Sequence, residues 1–599
     1  MATAAELAPI TSLSGRRWLW REPDPARVLA IAQRHGLAEI LARVLAARGV
    51  ATESVPAFLR PRLRDWLPDP SHLLDLDRAV ARLAGAVRDR EPVGLIGDYD
   101  VDGATAAALL GRYLRRRGCP IEVLVPDRLR HGYGPHPELL ERLAAKGIRL
   151  VVVVDAGTAA FAPLAAARAR GLEVIVIDHH SAEAELPPAH AVVNPNRRDQ
   201  ETPLRALAAV GVTFVLLVAL NRALREAGMW RRAEEPDLLA SLDLVALGTV
   251  CDVVPLEGLN RAFVAQGLKV AARTRLPGLR ALAERAGIEE ISAAWHLGFA
   301  LGPRLNAGGR IGRSDLAVRL LLAESEEEAA PLAAELDRLN RERQRLERAV
   351  LEAALRQIEP QLAEGRPLLF ARAPGWHPGV LGIVAGRLLE RFGRPVFVLG
   401  EEGGRLRGSA RSVPGFDIGE AVILARREGL LEAGGGHPLA AGATLETGRW
   451  NAFARFLLVR AEAGFAAEIP GPPPLRLDGM LAVTAVEPGL AKSLQRIAPY
   501  GPGNAEPRFC IADAVPVNAR PVGENHVSCW LAGADGRRIR AIAFRALDGP
   551  VGERLLAGRT RLWIAGKLRH EIWQGRERAS FEIEDLALPP DPGPRHAAS

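Results

Sequence analysis

Between about residues 76 and 250 of this 599-residue chain, short runs of Val, Ile and Leu alternate with Ala- and Leu-rich amphipathic stretches, and several of the runs lead directly into aspartate. The runs are Val93–Gly97, Glu122–Pro126, Leu150–Val154, Glu173–Ile177 and Ala191–Val193; stretches such as Ala104–Arg117 and Pro137–Lys146 lie between them. Runs too short for a helix, alternating with stretches that carry helical periodicity, predict a parallel sheet with helices on both faces. Such sheets bind ligands beyond the carboxyl ends of their strands. The residues following each run are therefore where chemistry is expected.

Those residues are acidic. The first run ends in Gly97-Asp98-Tyr99-Asp100-Val101-Asp102-Gly103, the third in Asp155, the fourth in Asp178-His179-His180, and a later apolar segment in Gly248-Thr249-Val250-Cys251-Asp252. Alternate residues of an extended chain point the same way, so at least two of Asp98, Asp100 and Asp102 can converge. One aspartate after a strand commonly caps a helix, a role open to Asp98 or Asp155. Four acidic strand ends, one with two adjacent histidines, exceed what capping requires. Carboxylates at buried ends are costly unless paired, and like charges in one crevice repel unless cations lie between them. Carboxylate and imidazole without thiolate suit Mn²⁺ or Mg²⁺. Two such ions, about 3.5–4 Å apart, serve in-line phosphoryl transfer.

Elsewhere the sequence is less specific. Residues 1–75 read as a helical extension that packs on the next domain, 76–314 as the α/β domain, and 315–365 as a solvated helical connector. Residues 366–468 read as a second α/β domain, 469–588 as a β-barrel behind the stiff linker Ile469–Pro474, and 589–599 as a disordered tail. Gly434-Gly435-Gly436 reads as a loop able to approach a ligand, and as an anion site if a helix follows it; His437 is then placed to donate a proton. Arg304, Asn306 and Arg310 read as a Gly-rich polar loop, Ser409 and Arg411 as flanking a turn, and Arg128 and Tyr133 as following the second strand. In the barrel, Arg537, Arg538, Arg540, Arg545, Lys567 and Arg569 interleave with Trp530, Trp563 and Trp573, as strand binding requires, although Trp in a small barrel is commonly core.

Composition excludes some classes. Lys plus Arg is 78 against 71 for Asp plus Glu, a net charge of +7, which permits a polyanionic partner without demanding one. Cys119, Cys251, Cys510 and Cys529 form no Cys-x-x-Cys pair, so neither a disulfide scaffold nor a zinc ribbon is expected. No signal peptide or membrane span is read, and the expectation is a cytoplasmic protein.

Asp98–Gly103, Asp155–Thr158, Asp178–His180 and Gly248–Asp252 resemble the four motifs of the DHH phosphoesterase superfamily. Gly302–Arg310 and Gly434–Gly442 resemble motifs of its associated domain. Pro126–Gly134, Trp376–Arg387, Gly408–Ser412 and Ala498–Phe509 resemble the longer RecJ-type members, single-stranded-DNA exonucleases acting from the 5′ end. The resemblance implies a DHH catalytic domain, a helical connector, a DHH-associated α/β domain and a C-terminal OB-type barrel. It implies two ions, Mn²⁺ or Mg²⁺, on Asp100, Asp102, Asp155, His179, His180 and Asp252, with Asp98 a further acidic position. Asp178 would orient His179 or a ligand water, and His437 would assist catalysis. Arg128, Ser409 and Arg411 would hold the terminal phosphate, and Tyr133 would stack on a base. Arg304, Asn306, Arg310, Gly435 and Gly436 would contact the backbone. The chain departs from the family at Ile96, where many relatives have a metal-binding His, and at Ala156.

The implied function is metal-dependent 5′ to 3′ hydrolysis of single-stranded DNA to 5′-mononucleotides, in repair and recombination. A helicase and a single-strand-binding protein are the expected partners, and a monomer the expected state. Two other functions stay open: a phosphodiesterase for short oligonucleotides or cyclic dinucleotides, which the trailing barrel argues against, and an inactive DNA-binding scaffold, which the complete set of acids argues against.

Overall fold

The computed structural model describes residues 10–590 apart from Leu129, residues 231–233 and Ala467, and apart from the side chain of Trp573. The expected disordered tail falls almost wholly outside the described residues. The chain forms two compact units: Arg60–Gln344 with Pro499–Ala505, and Met1–Leu59 with Arg345–Ala498 and Glu506–Ser599.

The first unit holds a five-stranded parallel sheet. Its order is Ile121–Leu124, Val93–Gly97, Leu150–Val154, Glu173–Ile177, Ala191–Val193. Val93–Gly97 and Leu150–Val154 are buried along their whole length, so neither alternates polar with apolar residues. The first strand has neighbours of later sequence on both sides, so the order reverses there and a crevice opens between its end and that of Leu150–Val154. Asp98 and Asp155 follow those two ends. The helix Val101–Arg116 starts almost at once because Gly103 lets it approach the strand: a Cβ there would lie 2.5 Å from the Asp98 nitrogen. The apolar segment before Asp252 is not a strand. It is the helix Leu242–Cys251, whose first eight residues are all buried. A run buried on every side has no period to separate helix from strand.

The second unit holds a mixed five-stranded sheet and a barrel. The sheet runs Ala433–His437, Ala440–Glu446, Arg405–Arg411, Val396–Glu402, Leu369–Pro374, antiparallel except for the last pair. The barrel strands are Phe509–Val522, His526–Ala532, Arg538–Ala543, Arg576–Ala587 and Leu562–Trp573, and pairing of the first with the last closes it. Closure leaves no free edge in the ring.

Two expectations about the ends of the chain's domains are corrected. The connector is the helix Glu326–Ala363, and it is not a solvated rod: Ala329, Ala333, Leu336 and Leu339 are buried in the core of the first unit, and Val350, Ala354 and Ile358 in a core of the second. The N-terminal extension does not simply pack on the domain that follows it. Arg17–Trp20 pairs in parallel with Leu475–Leu477, and Trp18 is buried with Cys510 and Trp563 in the core beside the barrel. The four cysteines are free.

Candidate metal centre

The crevice at the sheet's reversal is a cavity of about 290 Å³ lined by Asp98, Tyr99, Asp100, Arg128, Tyr133, Asp155, His180, Cys251, Asp252, Asn306, Gly309 and Arg310. Ligand atoms converge in three overlapping sets, each within 4.8 Å: Asp98, Asp100 and Asp155; Asp155, His179 and His180; Asp102, His179 and Asp252. The Nε2 of His179 lies 3.3 Å from Asp155 Oδ1, 3.6 Å from Asp252 Oδ2 and 3.9 Å from Asp102 Oδ2.

Local structure fixes each group. Asp100, rather than Asp98, caps the helix after the first strand, accepting from the Gly103 N–H at 3.0 Å. Asp102 is fully buried. Its two oxygens accept from the Ala209 and Val210 N–H groups at 2.6 and 2.9 Å, the first turn of the helix Ala209–Glu226, where amides without intrahelical partners favour an anion. Asp155 caps nothing. It sits at φ 60°, a left-handed conformation rare outside glycine, and its Oδ1 has no hydrogen-bond partner among the described residues. Asp178 orients His180 more than the His179 ring: its Oδ1 accepts from His180 Nδ1 at 2.7 Å and from the His179 N–H at 2.7 Å, while Oδ2 accepts from the Thr158 N–H at 3.0 Å.

Asp252 ends the helix Leu242–Cys251, and Val253 after it is held at φ 62°. A β-branched residue there is strained and persists only under constraint. Pro499–Ala505 docks on the loop and helix that follow: Leu256 N–H donates to Pro502 O at 2.8 Å and Arg261 to Pro499 O at 3.2 Å.

The electrostatics are those of a carboxylate cluster with few cations beside it. Burial and then the charge of Asp100 push Asp98 up to about 8 and Asp252 up to about 7. Burial and neighbouring carboxylates raise Asp102 and Asp155 as well. Burial, with His180 beside it, lowers His179 to about 4, leaving it a neutral donor of a lone pair. Burial alone would raise Asp178 and lower His180. Their mutual bond overcomes both, so Asp178 lies below the carboxylate range and His180 above the usual histidine value.

The remaining sequence-predicted residues divide by unit. Arg128 stands 5.2 Å over the Tyr99 ring at the cavity wall. The Tyr133 hydroxyl lies 3.0 Å from Asp155 O and 2.9 Å from His180 Nδ1, so this side chain also braces the site. Asn306 and Arg310 line the cavity from the helix Gly302–Ile311, not from a loop. Arg304 is on that helix but not in the cavity wall; it donates to Asp337 at 3.0 Å and to Ala300 O at 2.7 Å. In the second unit the expected turn around Ala410 and the expected Gly-rich loop are both strands. Their register is informative. Ser409 lies opposite Gly442, which lies opposite Gly435; Arg411 lies opposite Ala440, which lies opposite His437. Directly paired residues share a face, as do alternate residues, so Ser409, Arg411, Gly435 and His437 share one. Gly436, one residue on, belongs to the other face and is needed for close pairing: a Cβ would come within 2.3 Å of Ala440 O.

Sequence reasoning missed Tyr99, Gly309, Asn194 and Asn196. Gly309 admits the Tyr99 carbonyl, which a Cβ would meet at 2.7 Å. Asn194 donates to His180 O at 2.9 Å and Asn196 to His179 O at 2.5 Å, holding the histidine backbone. The two asparagines directly follow the fifth run, and that position was the available signal.

A parallel sheet whose reversal gathers aspartates from four segments around two adjacent histidines defines a DHH-type phosphoesterase. Sequence models of three families match accordingly: the DHH family, N-terminal domain, over residues 92–249; the DHHA1 domain over 365–461; and the RecJ OB domain over 477–585. The chain belongs to the RecJ family. It is 40% identical over 504 residues to the single-stranded-DNA-specific exonuclease RecJ of Dickeya dadantii, covering 82% of this chain and 86% of that protein. To the RecJ of Bacillus subtilis it is 34% identical over 589 residues, covering 96% and 71%. Among solved structures, RecJ from Thermus thermophilus in complex with Mn²⁺ superposes with a TM-score of 0.78 at 32% identity, covering 96% of this chain and 80% of that one; the complex with Mg²⁺ gives 0.73. Among the described residues no helix is long and apolar enough to cross a membrane.

Proposed function

We propose that this chain is a metal-dependent exonuclease that degrades single-stranded DNA from the 5′ end, releasing 5′-mononucleotides, in DNA repair and recombination. The observation that carries the reading is the cage of unpaired donors. Asp98 Oδ1, Asp155 Oδ1, His179 Nε2 and Asp252 Oδ2 are buried without hydrogen-bond partners among the described residues. Buried polar atoms are almost always satisfied, so four unpartnered ligand atoms in these overlapping sets are what bound cations would satisfy. Oxygen and imidazole donors fit Mn²⁺ or Mg²⁺. Asp98, Asp100, Asp102, Asp155, His179, His180 and Asp252 would hold two ions. When bound, the ions supply positive charge for the phosphoryl oxygens and acidify water near neutral pH.

The chain's own residues do the rest. Asp178 fixes the His180 ring, and the Ala209 and Val210 amides fix Asp102. Arg128, Asn306 and Arg310 hold phosphate oxygens from the cavity wall. Water attacks phosphorus in line, the bond to the 3′ oxygen breaks, and that oxygen takes a proton, with His437 the donor. Ser409 and Arg411 clasp the terminal phosphate, Gly435 leaves their face open, and Tyr133 offers its exposed ring to a base. Arg304 acts at one remove, through Asp337. In this division of labour 76–314 holds the ions, 315–365 links, and 366–468 and 469–588 hold the strand, 366–468 also supplying the proton donor His437, while Arg17–Trp20 pairs with Leu475–Leu477 beside the barrel. A single-strand enzyme needs duplex opened for it, which supports a helicase and a single-strand-binding protein as partners of a cytoplasmic monomer.

Strands labelled at each end, digested with titrated Mn²⁺ or Mg²⁺, test this. Mononucleotides appearing first from the 5′ label, on long strands faster than on dinucleotides, are expected. Faster cleavage of dinucleotides, or activity surviving both EDTA and Asp102→Ala, overturns it.

A further inference from the structure

The helix that carries Asn306 and Arg310 into the cavity does not begin at Gly302. It continues from a π-helical turn, His296–Leu301. Such turns are rare and concentrate at functional sites. Across both segments one stripe is buried: Leu297, Leu301, Leu305 and Gly308. The opposite stripe steps through Trp295, Phe299, Pro303, Asn306 and Arg310 at intervals of three or four residues. Its far end lines the cavity. Its near end is aromatic and open, with Trp295 58% and Phe299 84% exposed. Neither ring joins a hydrophobic core among the described residues. Single exposed apolar residues are ordinary, but two aromatics on one stripe leading into a phosphoesterase cavity are not scattered singly.

The turn is seated on the cavity wall. Cys251, which lines the cavity, has its sulfur 3.5 Å from Leu297 O, and Gly298 lies so close to Val250 that a Cβ would be 3.1 Å from its side chain. Phe299 is seven residues before Asn306, roughly 10 Å along the helix at about 1.5 Å per residue. That distance sets Phe299 outside the lining of the cavity itself.

We propose that Trp295 and Phe299 are an aromatic platform on which bases of the undegraded strand stack as the terminal nucleotide enters the metal cavity. The assignment rests on the exonuclease reading above. Every base offers a π-face, so the platform supports the strand irrespective of sequence, as exonucleolytic progress requires. Continuity of the stripe with the cavity selects DNA as the occupant over a protein partner.

The full chain with Mn²⁺ tests it, using a 5′-phosphorylated 20-nucleotide strand, the same strand with one abasic position moved along it, and a dinucleotide. For Phe299→Ala, KM for the 20-mer is expected to rise roughly tenfold, with kcat/KM for the dinucleotide within about twofold of wild type. Wild type should slow when the abasic position reaches the platform, and Phe299→Ala should lose that response. Phe299→Trp should behave as wild type and Phe299→Leu as the alanine variant, which separates stacking from general apolar contact and from misfolding. Equal loss on both substrates, an unchanged abasic response, or wild-type behaviour of Phe299→Leu overturns the platform and leaves the exonuclease reading standing. Failure of the wild type to degrade the strand overturns the exonuclease reading itself.

Discussion

Two regions of this molecule concentrate charge, and they do so in opposite ways. In the barrel, Arg508 meets Glu584 at 2.5 Å, Lys567 meets Glu584 at 2.6 Å and Glu506 at 3.4 Å, and Arg569 meets Glu582 at 2.6 Å and also Glu506. Three cations thus face three carboxylates across half-buried strands. Burial there would raise Glu584, but Arg508 and Lys567 hold it below its usual range. In the crevice, Asp98 and Asp155 lie buried and Asp252 partly buried, with their carboxyls pushed up and oxygens unpaired. The barrel cluster is internally balanced and needs nothing further. In the crevice carboxylates outnumber the cations Arg128, Arg310 and His180, and bound divalent ions would offset the excess. Charge density alone therefore does not mark a site; imbalance does. The same contrast corrects the expectation of Lys567 and Arg569 as strand-binding cations, since both are committed to carboxylates, while the buried Trp563 agrees with the reading of barrel Trp as core.

The largest expected effect follows from removing a carboxylate on the unbalanced side. Asp155→Asn, which removes the charge with a side chain that tolerates φ 60°, should lower kcat on single-stranded DNA about a thousandfold or more, in the range seen when an essential electrostatic group is deleted. In metal-free protein the same change should raise the melting temperature, because it relieves repulsion with Asp98, Asp100 and Asp102. A barrel carboxylate substituted likewise should do neither. Loss of activity accompanied by a lower melting temperature in EDTA would show that Asp155 is a structural residue and would break the contrast.

Protons can neutralise the same carboxylates that cations would, which gives the second prediction. Asp98 at about 8 and Asp252 at about 7, against an ordinary 3.8, mean that the folded metal-free chain holds protons the unfolded chain has released. Their stabilising contribution is full below about pH 4 and is lost as pH rises through 7 to 8. Metal-free protein should therefore melt at progressively lower temperature from pH 5 to pH 8. The increase produced by Mn²⁺ should grow over the same interval, since bound ions displace those protons. Calorimetry at each pH with EDTA or Mn²⁺ checks both, and a metal effect that is flat with pH would count against the carboxylate cage.

How far these regions could be read in the sequence follows from how local their causes are. The bounds of Val93–Gly97, Leu150–Val154, Glu173–Ile177 and Ala191–Val193 are those the apolar runs predict, because each strand is buried on both faces and its composition records that directly. Asp98, Asp155 and Asp178 follow from the same rule. What escaped depends on partners distant in the chain. Nothing near Asp102 announces the amides of Ala209 and Val210, 107 and 108 residues away. Glycine suggests loops at Gly408 and Gly434–Gly436, yet these lie in strands, where Gly408, Gly434 and Gly436 serve close strand and helix packing. The positive residues of the barrel look free until strand pairing sets Arg569 opposite Ser580 and beside Glu582. Charge imbalance is a property of the fold, and the sequence displays only its ingredients.

On the balanced side, effects should be smaller and confined to stability. Glu584→Gln removes one carboxylate shared by Arg508 and Lys567. With Glu584 18% and Lys567 15% exposed, solvent screens part of the loss, and about 1–2 kcal/mol of destabilisation is expected. Thermal unfolding should show it, while kcat on a short oligonucleotide stays within about twofold of wild type.

The finest test separates committed from presented cations within the barrel itself. Trp530 is 41% exposed and lies directly opposite Arg540, also exposed, on the paired strands His526–Ala532 and Arg538–Ala543. An exposed ring beside an exposed guanidinium suits one base and one phosphate of a single strand. Arg540→Gln should therefore lower the slope of log K against log salt by about 0.7, the share of one phosphate contact on single strands. Trp530→Ala should weaken binding by about 1 kcal/mol without changing that slope, because stacking releases no counterions. Arg569→Gln should leave the slope unchanged, since Glu506 and Glu582 already neutralise that guanidinium. Should Arg569→Gln change the slope as much as Arg540→Gln, its carboxylate partners would be exchanging for phosphate, and the barrel cluster would be a binding surface held closed by its own acids.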